Sequence, residues 1–179
     1  MIINRIWEMP NSRTFKIKCI RNLILKYSEN KNIIIDPFAN EMSIKQYIKN
    51  KYISNDLDNE YNCDYNLDAN DFLKVFDDNS IDMVLFDPPY SGRQVAECYK
   101  KLNKTVTMHD TNSGFLAKFK TEIGRITKTE GIVITCGWNS NGIGIKNGFE
   151  LIEVLLVAHG SSHNDTIVTV ERKQKNLFN

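Results

Sequence analysis

Two apolar runs in this chain end in the same way, and that shared ending constrains the fold more than any other feature. Ile33-Ile34-Ile35 stops at Asp36-Pro37, and the run from Ile81 to Phe86 stops at Asp87-Pro88-Pro89-Tyr90. Runs this short and rich in branched or aromatic side chains read as strands. Their near-continuous apolarity suits strands covered on both faces, as in a parallel sheet flanked by helices. Proline then ends each strand, because it donates no ladder hydrogen bond and holds the preceding residue extended.

The intervening segments carry helical spacing or turn chemistry. A helix is expected over 12–28, capped by Ser12, with Phe15, Cys19, Ile20, Leu23, Ile24 and Tyr27 recurring on one face. Met42, Ile44 and Ile48 predict a second helix over 42–50. Short strands are expected at Tyr52-Ile53-Ser54 and Tyr65-Asn66-Leu67, the latter followed by a helix that opens at Asp68. Residues 91–111 are mixed and basic, with one weak helical stretch. A better helix spans 113–128, with Phe115, Leu116, Phe119, Ile123 and Ile126 on one face. Strands follow at 131–136, 149–158 and 166–170, the last two joined by a short turn and therefore antiparallel. The pattern predicts an α/β fold whose mostly parallel sheet has an antiparallel C-terminal hairpin strand at its end.

Length and composition agree with this class. The 179 residues, 41% hydrophobic and 25% charged, suit one globular domain over 1–179 and disfavour collagen-like or disordered chains. No run approaches the ~18 apolar residues of a spanning helix, so no membrane partner is expected. The start, Met1-Ile2-Ile3-Asn4-Arg5, builds no signal-peptide pattern. The four cysteines lie 35 to 44 residues apart, which reads as reduced thiols in a cytoplasmic protein.

Net charge is +1, but its distribution is uneven: residues 56–87 carry ten acidic side chains and one basic, with basic stretches on either side. Such an acidic belt suits a protein that meets a cation in one place and an anion in another; it also suits ordinary solvated surfaces. Four expected strand ends carry an acid on one rim: Asp36, Asp56, Asp68 and Asp87. Ligands of open α/β sheets bind at that rim. Carboxylates there suit a cofactor with hydroxyls, an amine or positive charge, although Asp after a strand also favours turns and helix starts.

The proline corner carries the most chemistry. It offers a carboxylate and backbone carbonyls, acceptors with no competing N–H, beside an aromatic ring. Such a corner suits the exocyclic amine of a planar base. Two fixed acceptors on its N–H bonds localise the nitrogen lone pair and stabilise the charge that develops there, while the ring gives the base a stacking face. A plain tight turn is the alternative.

Asp87-Pro88-Pro89-Tyr90 resembles the catalytic motif of S-adenosylmethionine-dependent DNA adenine-N6 methyltransferases, and Asp36-Pro37-Phe38-Ala39 resembles the start of their cofactor loop. The order of segments also fits, so the resemblance covers most of the chain. It implies the Rossmann-like methyltransferase fold and S-adenosylmethionine as cofactor. It places Asp36 and Phe38 at the methionine end, Asp56 at the ribose hydroxyls, and Asp68 and Ala69 beside the adenine. Asp87, Pro88, Pro89 and Tyr90 become the catalytic corner, with Asp87 and the Pro88 carbonyl on the target amine and Tyr90 stacked on a flipped base. Asp87 also borders the cofactor.

Two departures accompany the resemblance. Asn40 stands where the family has glycine, and asparagine tolerates the left-handed corner best among other residues. No segment long enough for a separate target-recognition domain is present, so substrate contact falls to Arg93, Gln94 and Trp138, with Lys100, Lys101 and Lys104 as further phosphate contacts or a solvated face. The expected partner is nucleic acid, DNA first. An RNA adenine or guanine amino-methyltransferase is the alternative, as is a cofactor-binding subunit that relies on a protein partner or a second copy for target recognition. His159, His163 and Asp165 fall on a hairpin turn without a further ligand nearby, so no metal is expected.

Overall fold

The computed structural model describes residues 1–107, 114–160 and 163–175. Its strands are β1 (Ile2–Trp7), β2 (Ile33–Asp36), β3 (Lys51–Ser54), β4 (Ile81–Phe86), β5 (Thr127–Gly137), β6 (Phe149–Ala158) and β7 (Thr166–Lys173). Its helices are α1 (Lys18–Ser28), α2 (Ala69–Lys74), α3 (Gly92–Lys101) and α4 (Phe115–Ile126).

The seven strands form one sheet in the order β1-β6-β7-β5-β4-β2-β3. Every neighbouring pair is parallel except the two that β7 makes, with β5 and with β6. The antiparallel strand therefore lies inside the sheet, not at its end as the sequence suggested. β1 takes the edge by pairing in parallel with β6, from Ile2 beside Glu153 to Trp7 beside Ala158.

Alternation along each strand feeds two cores. Met83 and Leu85 join Ile20, Leu23 and Ile24 of α1 on one face. Val84 and Phe86 join Phe72 of α2, Val95 of α3 and Phe119 of α4 on the other. Both faces of the central strands are covered, which is why their sequences read as continuous apolar runs.

Three expectations change. The segment 42–50 holds only a 3-10 turn at Lys45–Tyr47. Asn40 and Met42 both adopt left-handed φ, +48° and +50°, and a right-handed helix cannot propagate through them. Tyr65 makes one isolated bridge to Asn55 instead of a strand. Ser12 does not cap α1: a 3-10 turn at Thr14–Lys16 intervenes, and Glu8 accepts from the N–H groups of Lys18 (3.2 Å) and Cys19 (2.8 Å) instead. The helix expected over 113–128 begins, among described residues, as Phe115–Ile126; residues 108–113 lie outside them. Among the described residues no helix is long and apolar enough to cross a membrane.

Candidate active site

From β2 the chain passes outward to β3 and then returns to the opposite side of β2 as β4. Strand order reverses between β2 and β4, and the carboxyl ends of these strands diverge there into a crevice. A cleft of about 830 Å³ follows the rim, within the ~300–1,000 Å³ usual for small-molecule sites. Phe38, Asp56, Asp68, Ala69 and Asp87 line it, and so do Pro88, Pro89, Tyr90, Gln94 and Trp138.

One half is built by the loops after β2 and β3. Asp36, fully buried, is not in the cleft wall. Its carboxylate accepts from the Phe38 N–H (3.1 Å) and the Tyr52 hydroxyl (2.7 Å), which fixes the turn that brings Phe38 to the wall. Burial, followed by the neighbouring Asp87 and Asp56 charges, pushes its pKa up to about 7, against the pull of those two hydrogen bonds. Phe38 packs against Phe86 and edge-on against Phe119, with centroids 5.9 and 5.6 Å apart.

Asp56 holds the two flanking loops together. It accepts from the N–H of Asn40 (2.9 Å) and the N–H of Asp58 (2.9 Å), and burial raises its pKa. Asn40 takes the left-handed corner expected of it, and its buried side-chain oxygen has no hydrogen-bond partner although the residue lines the cleft. Asp68 caps α2 by accepting from the Asn70 N–H (2.9 Å), which leaves Ala69 as a small apolar patch of the wall.

The proline corner forms the middle of the cleft. The Tyr90 hydroxyl donates to the Asp87 carboxylate, and Thr14, from the turn before α1, lines the same cleft. Burial raises the Asp87 pKa against the pull of the Tyr90 bond. The Tyr90 hydroxyl is pushed up by burial and by the facing Asp87 charge, so it stays protonated. Gln94 accepts from the Tyr90 N–H at 2.6 Å, and Ser91 caps α3 by accepting from the Gln94 N–H at 3.3 Å. Trp138, at the end of β5, meets Tyr90 edge-on with centroids 5.6 Å apart.

α3 closes the half built by the loops after β2 and β3. Val95 and Cys98 line the cleft, and Lys101 reaches Asp58 at 2.7 Å while lying over the Tyr61 ring. Lys101 therefore ties α3 to the loop after β3. Arg93 lies outside the cleft wall, exposed and paired with Glu97 one turn on (2.8 Å); Lys100 and Lys104 are exposed. His159 and His163 both line the cleft; His159 is buried, with its ring nitrogens at the Glu8 carbonyl (2.8 Å) and the Thr166 hydroxyl (2.9 Å).

Sequence reasoning missed Thr14, Asn40 as an open acceptor, and α3 as a wall. Only the last had a local signal: Ser91 with Gln94 three residues on is a helix-start pattern.

No family model and no curated protein matches the chain. Solved structures do. The chain is similar to yhhF of Escherichia coli, provisionally assigned as a methyltransferase, with a TM-score of 0.60 at 10% identity over 94% of this chain and 91% of that one. It is similar to TrmN of Thermus thermophilus at 0.59 and 14%, covering 88% of this chain and 49% of that one. A third is the 1,6-didemethyltoxoflavin-N1-methyltransferase of Burkholderia thailandensis, solved with S-adenosylhomocysteine, at 0.57 and 10% over 86% and 76%. The molecule has the Rossmann-like α/β fold on which these proteins are built.

Proposed function

We propose that this chain is an S-adenosylmethionine-dependent methyltransferase acting on the N6 amine of adenine in DNA. The observation that carries this reading is the Asp87 carboxylate. It sits at the switch point of the sheet, in a proline-stiffened corner beside two aromatic rings, within one cleft that also holds the loops after β2 and β3.

The residues present fit the cofactor. Phe38, Ala69 and Val95 give apolar surface for a planar base. Asp56 has lone pairs left for ribose hydroxyls beyond the two backbone groups it already binds. The unpartnered Asn40 oxygen is a buried acceptor in the wall that calls for a donor. The acidic side chains along the rim favour a cationic ligand, and Asp36 shapes the loop from beneath. Bound S-adenosylmethionine supplies an electrophilic methyl group on a sulfonium.

The corner supplies the rest. Asp87 and the Pro88 carbonyl accept from the target amine and align its lone pair. Pro89 adds stiffness, and Tyr90 with Trp138 gives the base an aromatic surface. No covalent enzyme intermediate is involved. Gln94 faces the base edge, and Arg93 lies where a phosphate outside the cleft would pass. The chain acts as one catalytic domain over 1–179 and reads its target through these loops.

The test is transfer of tritiated methyl from S-adenosylmethionine into adenine-containing DNA, with Asp87→Ala alongside. Incorporation that requires Asp87 supports the reading. Cofactor binding without incorporation, with or without Asp87, contradicts it.

A further inference from the structure

The two lips of the cleft differ in how their charges are matched. On the lip built by the loop after β3 and by α3, each lysine or arginine that reaches an acid is held by it. Lys101 pairs with Asp58 (2.7 Å) and Glu60 (3.9 Å), and Arg93 with Glu97 (2.8 Å). The other lip is the segment 12–17, where Ser12, Thr14 and Ile17 line the cleft beside Asn40 of the loop after β2. Behind it, the start of α1 packs against the segment 41–49. Arg13 and Lys16 both pair with Glu41, and the Arg21 guanidinium lies 4.6 Å over the Tyr47 ring. Residues 12–31 and 41–51 together hold nine lysines and arginines against two acids, Glu29 and Glu41.

We propose that this face, formed by the start of α1 and the segment 41–49, carries the sugar–phosphate backbone of the DNA whose base enters the cleft. The inference rests on the nucleic-acid target proposed above, and extends the phosphate path from Arg93 to the opposite lip. Its cations are available. Among the described residues Lys18, Arg21, Lys45 and Lys49 make no ion pair, and the three lysines are exposed. Glu8 and Asp64, the acids whose pKa values Lys18 and Lys45 lower, have carboxylates already engaged by the N–H groups of Cys19 (2.8 Å) and Ser54 (2.8 Å).

The chemistry of the face favours a nucleic acid over other polyanions. A guanidinium stacked on a ring presents its N–H groups edgewise, and that planar fork matches phosphate oxygens. The apolar positions of α1, Ile20, Leu23 and Ile24, are buried in the core. The helix therefore has no apolar stripe to lay into a membrane, which an interfacial helix needs. The cations instead border a cleft whose wall holds Tyr90 and Trp138, so a chain of phosphates on this face can deliver one of its bases to those rings.

Fluorescence anisotropy of a labelled, adenine-containing DNA duplex, titrated with the full chain over a series of salt concentrations, tests it. Lys18→Gln/Lys49→Gln removes two cations of the face. Lys146→Gln/Lys175→Gln removes two exposed cations at the other end of the sheet, before β6 and after β7. Each phosphate contact contributes about 0.9 to the slope of log K against log salt. The first variant should therefore show a slope shallower by about 2 and a Kd raised about tenfold or more at ~0.1 M salt, while the second matches the wild type. Both should keep wild-type circular dichroism and S-adenosylmethionine affinity. An unchanged slope in the first variant, equal losses in the two, or a wild type that leaves the duplex unbound while binding RNA, phosphatidylglycerol vesicles or neither would overturn the proposal. Methyl incorporation is read separately: DNA bound on this face but left unmethylated supports the surface and contradicts the reaction, and methylation with an unchanged slope does the reverse.

Discussion

The Tyr90 hydroxyl donates a hydrogen bond to the Asp87 carboxylate, tying together two side chains of the proline corner. The acceptor required by the proposed reaction is thus already engaged, and a target amine reaches it by displacing or sharing that hydroxyl. The same bond lowers the Asp87 pKa, partly offsetting the rise caused by burial.

Tyr90→Phe therefore has two expected effects. The ring remains, so transfer persists, but Asp87 loses a donor and its pKa rises further. The acid limb of the pH–rate profile should shift to higher pH. Tyr90→Ala removes the stacking surface as well, and should cost about 1–3 kcal/mol in transition-state stabilisation. Equal rates for Phe and Ala would remove the stacking role.

Asp36 predicts a pH dependence of stability. Its folded pKa is pushed up to about 7, above the unfolded value, so the folded state holds the proton longer. Its stabilising contribution is complete below about pH 4 and declines as pH rises towards 7. Asp36→Asn carries no titrating group there. The stability of the variant relative to wild type should climb across that window in denaturant titrations; a flat difference would contradict the shifted pKa.

Gly142 is expected to resist substitution. It sits at φ +50°, and a Cβ there would lie 2.2 Å from a Glu171 carboxylate oxygen. Glu171 cannot simply move aside, because it is buried and accepts from the N–H groups of Ile143 (2.6 Å) and Gly144 (2.8 Å). Gly142→Ala should cost on the order of 1–3 kcal/mol, read as a lower denaturation midpoint at unchanged m-value.

Arg93 separates the outer surface from the cleft. Arg93→Glu should leave cofactor affinity unchanged, since the side chain is outside the cleft wall. Nucleic-acid affinity should fall, with a salt slope shallower by about 1. An unchanged slope would place the phosphate path elsewhere.

Legibility from sequence followed local chemistry. β2 and β4 were readable because both faces are covered and proline marks their ends. β6 was readable for its whole length, Phe149–Ala158. β1 was not, because its side chains face solvent and no burial pattern is written into them. The helix expected over 42–50 failed for a different reason: Ile44 and Ile48 have helical spacing, but Met42 is left-handed and Ile48 extended, which leaves only a 3-10 turn between them. In the candidate site, the aspartates at strand ends were visible because proline or turn chemistry accompanies them. Thr14 joins Asp87 in the cleft lining from a segment 73 positions earlier, a tertiary proximity with no local signature.

Nucleoside mass spectrometry tests the central claim most directly. The protein and S-adenosylmethionine are incubated separately with duplex DNA, single-stranded DNA and RNA, with Asp87→Ala in parallel. The account predicts N6-methyladenine in DNA, absent with the variant. Methylation confined to RNA would contradict the DNA assignment, and no methylated base in any substrate, from protein shown to bind the cofactor, would contradict the reaction itself.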